Sequence, residues 1–150
     1  MIDPMVRRAD PANGDDISQL EGLEREARAA LVGVRGGDRW LAEHQIVGQS
    51  WAERCKKAAV WVAHIGEVVV GYLVAELGAD GVLYIDQVWV TPDARELGFG
   101  DALLQTAIEA GRSEGAAAVE GQALPGDRHT KNLYERAGIV ARLITTYRRF

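Results

Sequence analysis

The chain has one cysteine, Cys55, so it cannot build an internal disulfide framework. That fits a reducing compartment and leaves Cys55 as a small apolar residue on a helix. Histidine is scarce too. His44, His64 and His129 are scattered without metal-ligand spacing, so no metal site is expected. The longest apolar stretches, such as "VVVGYLVA", fall far short of the roughly 20 residues that cross a bilayer. The first residues, "MIDPMVRRADPANGDD", contain no apolar core of a signal peptide. These absences lead to the expectation of a cytoplasmic protein without a membrane partner. Basic residues are in the minority, 17 against 22 acidic ones, and the resulting charge of −5 argues against nucleic acid and suits a cationic partner.

What is present is an ordinary globular composition, 47% hydrophobic and 26% charged. A length of 150 residues is read as a single domain, 1–150, able to bury its own core. "MVRRA" reads as a short edge strand and "PANGDD" as a turn ending in a helix cap. Ile17, Leu20, Leu23, Ala27 and Leu31 then recur at helical spacing. After "GVRGGD", a second helical pattern aligns Trp40, Leu41, His44, Val47, Trp51 and Cys55. From Ala58, three β-rich runs, "AVWVAHI", "VVVGYLVAEL" and "VLYIDQVWV", are joined by connections short enough to require an antiparallel meander. Gly71 inside the middle run marks a candidate bulge. A helix carrying Leu103, Leu104, Ala107 and Ile108 follows, capped by Gly115. Then come a strand "AAAVEGQAL", a helix "TKNLYERAG" closed by Gly138, and a last strand "IVARLITTYRRF". The strand–helix–strand unit implies one parallel pair in a mixed sheet.

Between the third run and its helix lies "TPDARELGFGDALL". Backbone N–H groups at a helix start lack intrahelical partners and attract anions, and glycines let an anion come close. The glycines could equally do no more than shape a turn. A dinucleotide fingerprint needs a small residue where Leu103 stands and begins its glycines directly after the strand, although Glu120 stands about where a ribose-binding acid would. A Walker loop needs a Gly-Lys pair, which the chain lacks. "GRSEG" fits the nucleophile-elbow pattern but runs from helix toward strand, so Ser113 is read as a helix-end residue.

"RELGFG" matches Arg/Gln-x-x-Gly-x-Gly/Ala, and with "VWVTPDARELGFGDALL" it closely resembles the acyl-CoA-binding segment of the GNAT superfamily of N-acetyltransferases. The element order resembles that family over nearly the whole chain. The resemblance implies an α/β fold of α+β type: a mixed, mostly antiparallel sheet flanked by helices, with one parallel strand pair splayed to admit acyl-CoA. It implies a pyrophosphate cradle of backbone N–H groups from Leu97, Gly98, Phe99, Gly100 and Asp101, flanked by Arg95 and Glu96. Val88, Trp89 and Val90 would hold pantetheine by their backbone. "DRHTKNLYERAG" resembles the family's helix with an Asn and a Tyr, which places Asp127 and Lys131 near the cofactor and Tyr134 as the acid for the departing thiolate. Asp127 stands where the family usually has Asn, "LPGD" is about two residues longer than the usual connection, and Asn132 is rotated off this face.

Acyl transfer from a thioester to an amine needs a neutral amine, a stabilised oxyanion and a proton for the thiolate. Glu120 and Asp86, on strands bordering the splayed pair, are both candidates for the base, and a solvent-facing role stands open for each. Trp40 and Trp51 are candidates for an acceptor pocket or for the core. The expectation is acetyl-CoA-dependent transfer to a primary amine, on a small molecule or a peptide, by direct attack in a ternary complex, since no activated Cys or Ser nucleophile is visible. The alternative is a non-catalytic acyl-CoA-binding module of the same fold. An exposed last strand is an edge with which a second copy could pair, and the family habit implies a homodimer, but the sequence leaves the oligomeric state open.

Overall fold

The computed structural model describes residues 3–150. Asn13 starts the first long helix, its side-chain oxygen accepting from the N–H groups of Asp15 at 2.9 Å and Asp16 at 3.4 Å. This helix, α1 (Gly14–Leu31), buries Leu20 and Leu23, each such burial contributing about 1.5–3 kcal/mol. Two carboxylates lie on the buried face as well. Asp16 takes both guanidinium nitrogens of Arg7 at 2.8 Å and the N–H of Asp10. Glu24 accepts from the N–H groups of Val47 and Gly48 and from Trp51 Nε1.

That last contact explains a departure from expectation. The pattern from Trp40 to Cys55 is not one helix but two short ones, α2 (Gly37–Glu43) and α3 (Trp51–Lys57), with a 3-10 turn at Gly48–Ser50. The amides of Val47 and Gly48 are held by the Glu24 carboxylate instead of a helical ladder, and Gly48 adopts φ 57°. A cross-helix contact of this kind outweighs the local periodicity.

The meander forms as the sequence predicts. Strands β1 (Met5–Arg8), β2 (Ala59–Ile65), β3 (Val68–Leu77) and β4 (Val82–Val90) are antiparallel neighbours in that order, and β5 (Ala118–Gly121) joins β4 in parallel. Between β2 and β3 the register shifts beside Gly71: Ala63 faces Gly71 and His64 faces Val69, so Val70 is the extra residue. Gly71 is needed because a Cβ there would lie 2.8 Å from the Trp89 carbonyl oxygen. Tyr72 and Val74 on central β3 pack toward α1 and α3, while Leu73 and Ala75 pack toward α4 (Phe99–Ser113) with Leu103, Leu104 and Ala107. Ser113 is the last residue of α4, followed by Gly115 with φ 99°. The last helix, α5 (Arg128–Arg136), is followed by Gly138 with φ 77°.

The expected final strand does not form. Residues 139–150 contain no strand, and Leu143, Ile144, Tyr147 and Phe150 are exposed. β-branched and aromatic residues supply strand preference but no partner, and an extended segment becomes a strand only where a second backbone satisfies it.

Candidate active site

The site begins with a defect in β4. Val74 faces Gln87 and Ala75 faces Ile85, so Asp86 is an extra residue in the ladder. Such a bulge bends the strand and re-aims its side chains. Pairing with β5 runs from Val82 opposite Ala118 to Ile85 opposite Gly121 and ends there. From Asp86 to Val90 the strand keeps β3 on one side and has no strand on the other. A wedge therefore opens in the sheet, edged by the backbone of Val88, Trp89 and Val90.

The glycine turn closes one end of this wedge. After the 3-10 turn Pro92–Ala94, Glu96 at φ 65° and Gly98 at φ 87° reverse the chain into α4. Gly98 is the N-cap, and no side chain caps the helix start. The N–H groups of Phe99, Gly100 and Asp101 therefore keep the unsatisfied donors and positive dipole end of a helix N-terminus. A Cβ on Gly100 would lie 3.3 Å from Leu133, so glycine lets the start of α4 sit close against α5. The Asp101 carboxylate, which would oppose an anion here, pairs with Arg136 Nε at 3.0 Å. Arg95 lies along the strand end: its Nε donates to the Val90 carbonyl at 3.0 Å and its guanidinium sits 4.6 Å from the Trp89 ring centre.

On the α1 side the wedge opens into a cavity of about 290 Å³. Its floor is β3 and β4, through Tyr72, Glu76, Tyr84, Asp86, Gln87 and Trp89; Ala27, Arg28 and Leu31 of α1 and Trp40 of α2 wall it, and Glu120 stands on the β5 side. The two tryptophans separate here. Trp51 is fully buried in the core, whereas Trp40 lines the cavity, stacked on His44 at 4.2 Å. "VRGGD" supports the far rim, since a Cβ on Gly36 would lie 3.3 Å from Leu124 and one on Gly126 would strike Val34.

The two carboxylates expected to border the wedge do so in different states. Asp86 accepts from Arg54 at 3.0 Å, and the same guanidinium holds Glu76 at 2.5 Å. Glu120 makes no hydrogen bond or ion pair among the described residues and is exposed to the cavity. Tyr134 reaches the wedge from α5, on the opposite face of the sheet, packed on Gly121, where a Cβ would lie 2.7 Å from its hydroxyl oxygen. It is 6% exposed, and its hydroxyl borders the cavity with no hydrogen-bond partner among the described residues. Burial pushes its pKa up, with Asp127 and Asp86 adding to the shift, so the phenol stays protonated at neutral pH.

Other expected residues fall differently. Asp127 borders the cavity as the N-cap of α5, its carboxylate taken by the N–H and hydroxyl of Thr130 at 3.2 and 2.7 Å. Lys131 points to solvent, 3.6 Å from Glu135, away from the cavity lining. Several polar residues escape sequence reasoning. Gln87 accepts from the Tyr72 hydroxyl at 2.7 Å, Arg54 clamps Asp86, and Glu26 accepts from Trp89 Nε1 at 3.2 Å and Thr91 Oγ1 at 2.6 Å. Each bridges elements distant in sequence, so no local spacing announces them.

Comparison with known proteins agrees with this geometry. The profile of the "Acetyltransferase (GNAT) family" matches residues 20–139. A probable N-acetyltransferase camello of Xenopus tropicalis is 38% identical over 85 residues, which is 55% of this chain and 39% of that protein, so the match spans well under half of the relative. The BH1408 protein of Bacillus halodurans superposes with a TM-score of 0.80 at 19% identity, over 97% of this chain and 99% of that one. The acetyltransferase AAC(6')-Iy, solved in complex with a bisubstrate analogue joining coenzyme A to an acetylneamine, superposes at 0.66 and 18% identity, over 99% and 100% of the two chains. At these identities the structural likenesses establish the fold. With the family profile covering most of the sequence and a mixed sheet splayed at its one parallel pair, the chain belongs to the GNAT family of acetyltransferases.

Proposed function

We propose that the protein binds acetyl-CoA in the wedge between β4 and β5 and transfers the acetyl group to a primary amine held in the cavity, both bound at once. The observation that carries this reading is the meeting of the opened strand edge, the protonated Tyr134 hydroxyl and the unpaired Glu120 at one cavity. The donor groups present fit a CoA-type ligand. A helix start without a side-chain cap and with its one first-turn carboxylate neutralised by Arg136 suits a diphosphate, and the free edge of Val88–Val90 suits an amide-bearing arm.

Acetyl-CoA, when bound, supplies an acyl group activated as a thioester and a thiol as leaving group. Glu120 takes a proton from the incoming ammonium, directly or through water, because it is the cavity carboxylate not already held by a cation or a cap. Asp86 is the runner-up, tied by Arg54 until that pair loosens. The Tyr134 hydroxyl holds its proton toward the sulfur side. Full transfer from so weak an acid is uphill, so the phenol donates a hydrogen bond and relays a proton that the amine ultimately supplies. Glu76, Asp86, Glu120 and Asp127 face the cavity against Arg28, with Arg54 behind two of them, which favours a cationic acceptor. The test is thiol release from acetyl-CoA with a panel of polyamines, aminoglycosides, amino acids and N-terminal peptides, using wild type and Tyr134→Phe. Amine-dependent release that drops at least tenfold in the variant is expected; coenzyme A binding with no release by any amine overturns the catalytic reading.

A further inference from the structure

Most charges that line the cavity are already answered by the protein itself. Glu76 and Asp86 share Arg54, and Asp127 is occupied as the cap of α5. Two are not. Glu120 stands unpaired on the β5 side, and Arg28, the one Lys or Arg of the lining among the described residues, forms no ion pair there. Arg28 is nevertheless held in place. It is half-buried on α1, its Nη2 donates to the Leu41 carbonyl at 3.3 Å, and its guanidinium lies 5.8 Å from the Trp40 ring centre. A second donor stands with it. The Gln87 oxygen is turned to the hydroxyl of buried Tyr72 at 2.7 Å, which leaves the Gln87 Nε2 hydrogens without an acceptor among the described residues. No buried side-chain nitrogen lacks a partner, so this amide is open to the cavity it lines. Arg28 is close enough to Tyr72 for its charge to oppose the rise that burial imposes on that phenol.

We propose that the acceptor is an amino acid, an amine that also carries a carboxylate, with its amine at Glu120 and its carboxylate held by Arg28 and the Gln87 amide. This rests on the acetyl-transfer reading above and names its substrate class. The acidic lining draws the amine in; Arg28 decides what the rest of the molecule carries. A guanidinium and an amide N–H that meet at one place make charge-assisted hydrogen bonds to a carboxylate. A polyamine or an aminoglycoside would instead bring a second ammonium against Arg28, and like charges at such range repel. The spacing suits a small molecule. Glu120 lies opposite Tyr84, and Gln87 is three residues further along β4, roughly 10 Å at about 3.3 Å per residue before two long side chains reach into the gap.

The experiment compares each common amino acid with its decarboxylated amine, such as lysine with cadaverine and phenylalanine with phenethylamine, as acceptors for acetyl-CoA. Wild type, Arg28→Gln, Arg28→Lys and Gln87→Leu are assayed, with circular dichroism to verify folding. In the best pair the amino acid is expected to exceed its amine at least about tenfold in kcat/KM. Arg28→Gln should bring that ratio close to one, mainly through KM, and Arg28→Lys should restore part of it. Gln87→Leu, which leaves the Arg28 contacts with α2 alone, should lower the ratio in the same direction. A wild type that prefers the carboxylate-free amines overturns the proposal. So does an Arg28→Gln protein that loses both members of a pair equally, because Arg28 then serves only to hold α2. Melting temperatures with coenzyme A present supply a readout without turnover: the preferred amino acid should raise that of wild type and not that of Arg28→Gln. If no amine releases thiol, the transfer reading fails on its own, and a wild type whose melting temperature no amino acid raises overturns this one as well.

Discussion

Gly121→Ala asks whether the position of the Tyr134 ring, and not its presence alone, sets the rate. A Cβ at residue 121 would lie 2.6 Å from Cζ, 2.7 Å from the hydroxyl oxygen and 3.0 Å from Cε2 of Tyr134. Unstrained carbon contacts begin near ~3.5 Å, so the ring must retreat by roughly 1 Å. Tyr134 is buried against Gly121 and the α4-side core, so the retreat displaces the hydroxyl from the cavity instead of flipping it freely. A displacement of that size costs on the order of 100-fold in rate, or about 2.7 kcal/mol of transition-state stabilisation. Overpacking should also cost about 1–3 kcal/mol of stability, leaving a folded protein. The assay is steady-state thiol release with the acceptor found by the amine panel, alongside thermal melts and a double-mutant cycle with Tyr134→Phe. If alanine acts by moving the hydroxyl, the two changes are strongly non-additive, and the double variant is little slower than the worse single one. A Gly121→Ala protein with wild-type kcat, or full additivity with Tyr134→Phe, would refute the reasoning.

Glu26→Ala should raise the KM for acetyl-CoA several-fold with a smaller effect on kcat, because Glu26 ties Trp89 and Thr91 at the splayed end of β4 to α1; Glu26→Gln, which keeps an acceptor for Thr91, should recover part of it. Equal KM values in wild type and Glu26→Ala would remove this role. Gly98→Ala should destabilise by about 1–2 kcal/mol in urea unfolding, since alanine is strained at φ 87°. Asp16 is held below the usual carboxylate range, first by its hydrogen bonds from Arg7. Its contribution to stability is therefore complete above its unfolded pKa of about 3.9 and is lost as pH falls through the lower folded value. Asp16→Asn should accordingly flatten the acid side of the stability profile, and a variant whose loss of stability is the same at pH 7 and pH 2 would contradict that sign.

The sequence by itself determined the parts of this protein that rest on local chemistry. The meander is legible because its connections are too short for anything but antiparallel neighbours, and α4 because its glycine turn and its apolar spacing both follow from backbone rules. The resemblance to a family pattern singled out Tyr134, Glu120 and Asp86, and all three line the cavity. The tertiary structure alone decided what those residues face. The bulge at Asp86 depends on register with β3, and the end of the parallel pair at Ile85 depends on how β5 diverges. Arg54 holds Asp86 and leaves Glu120 unpaired through contacts between elements that no spacing rule connects. Glu24 broke the second helix by offering its carboxylate to amides 23 and 24 residues away. The last strand failed for the complementary reason: strand preference belongs to a sequence, but a strand needs another backbone, and residues 139–150 find none within the described chain.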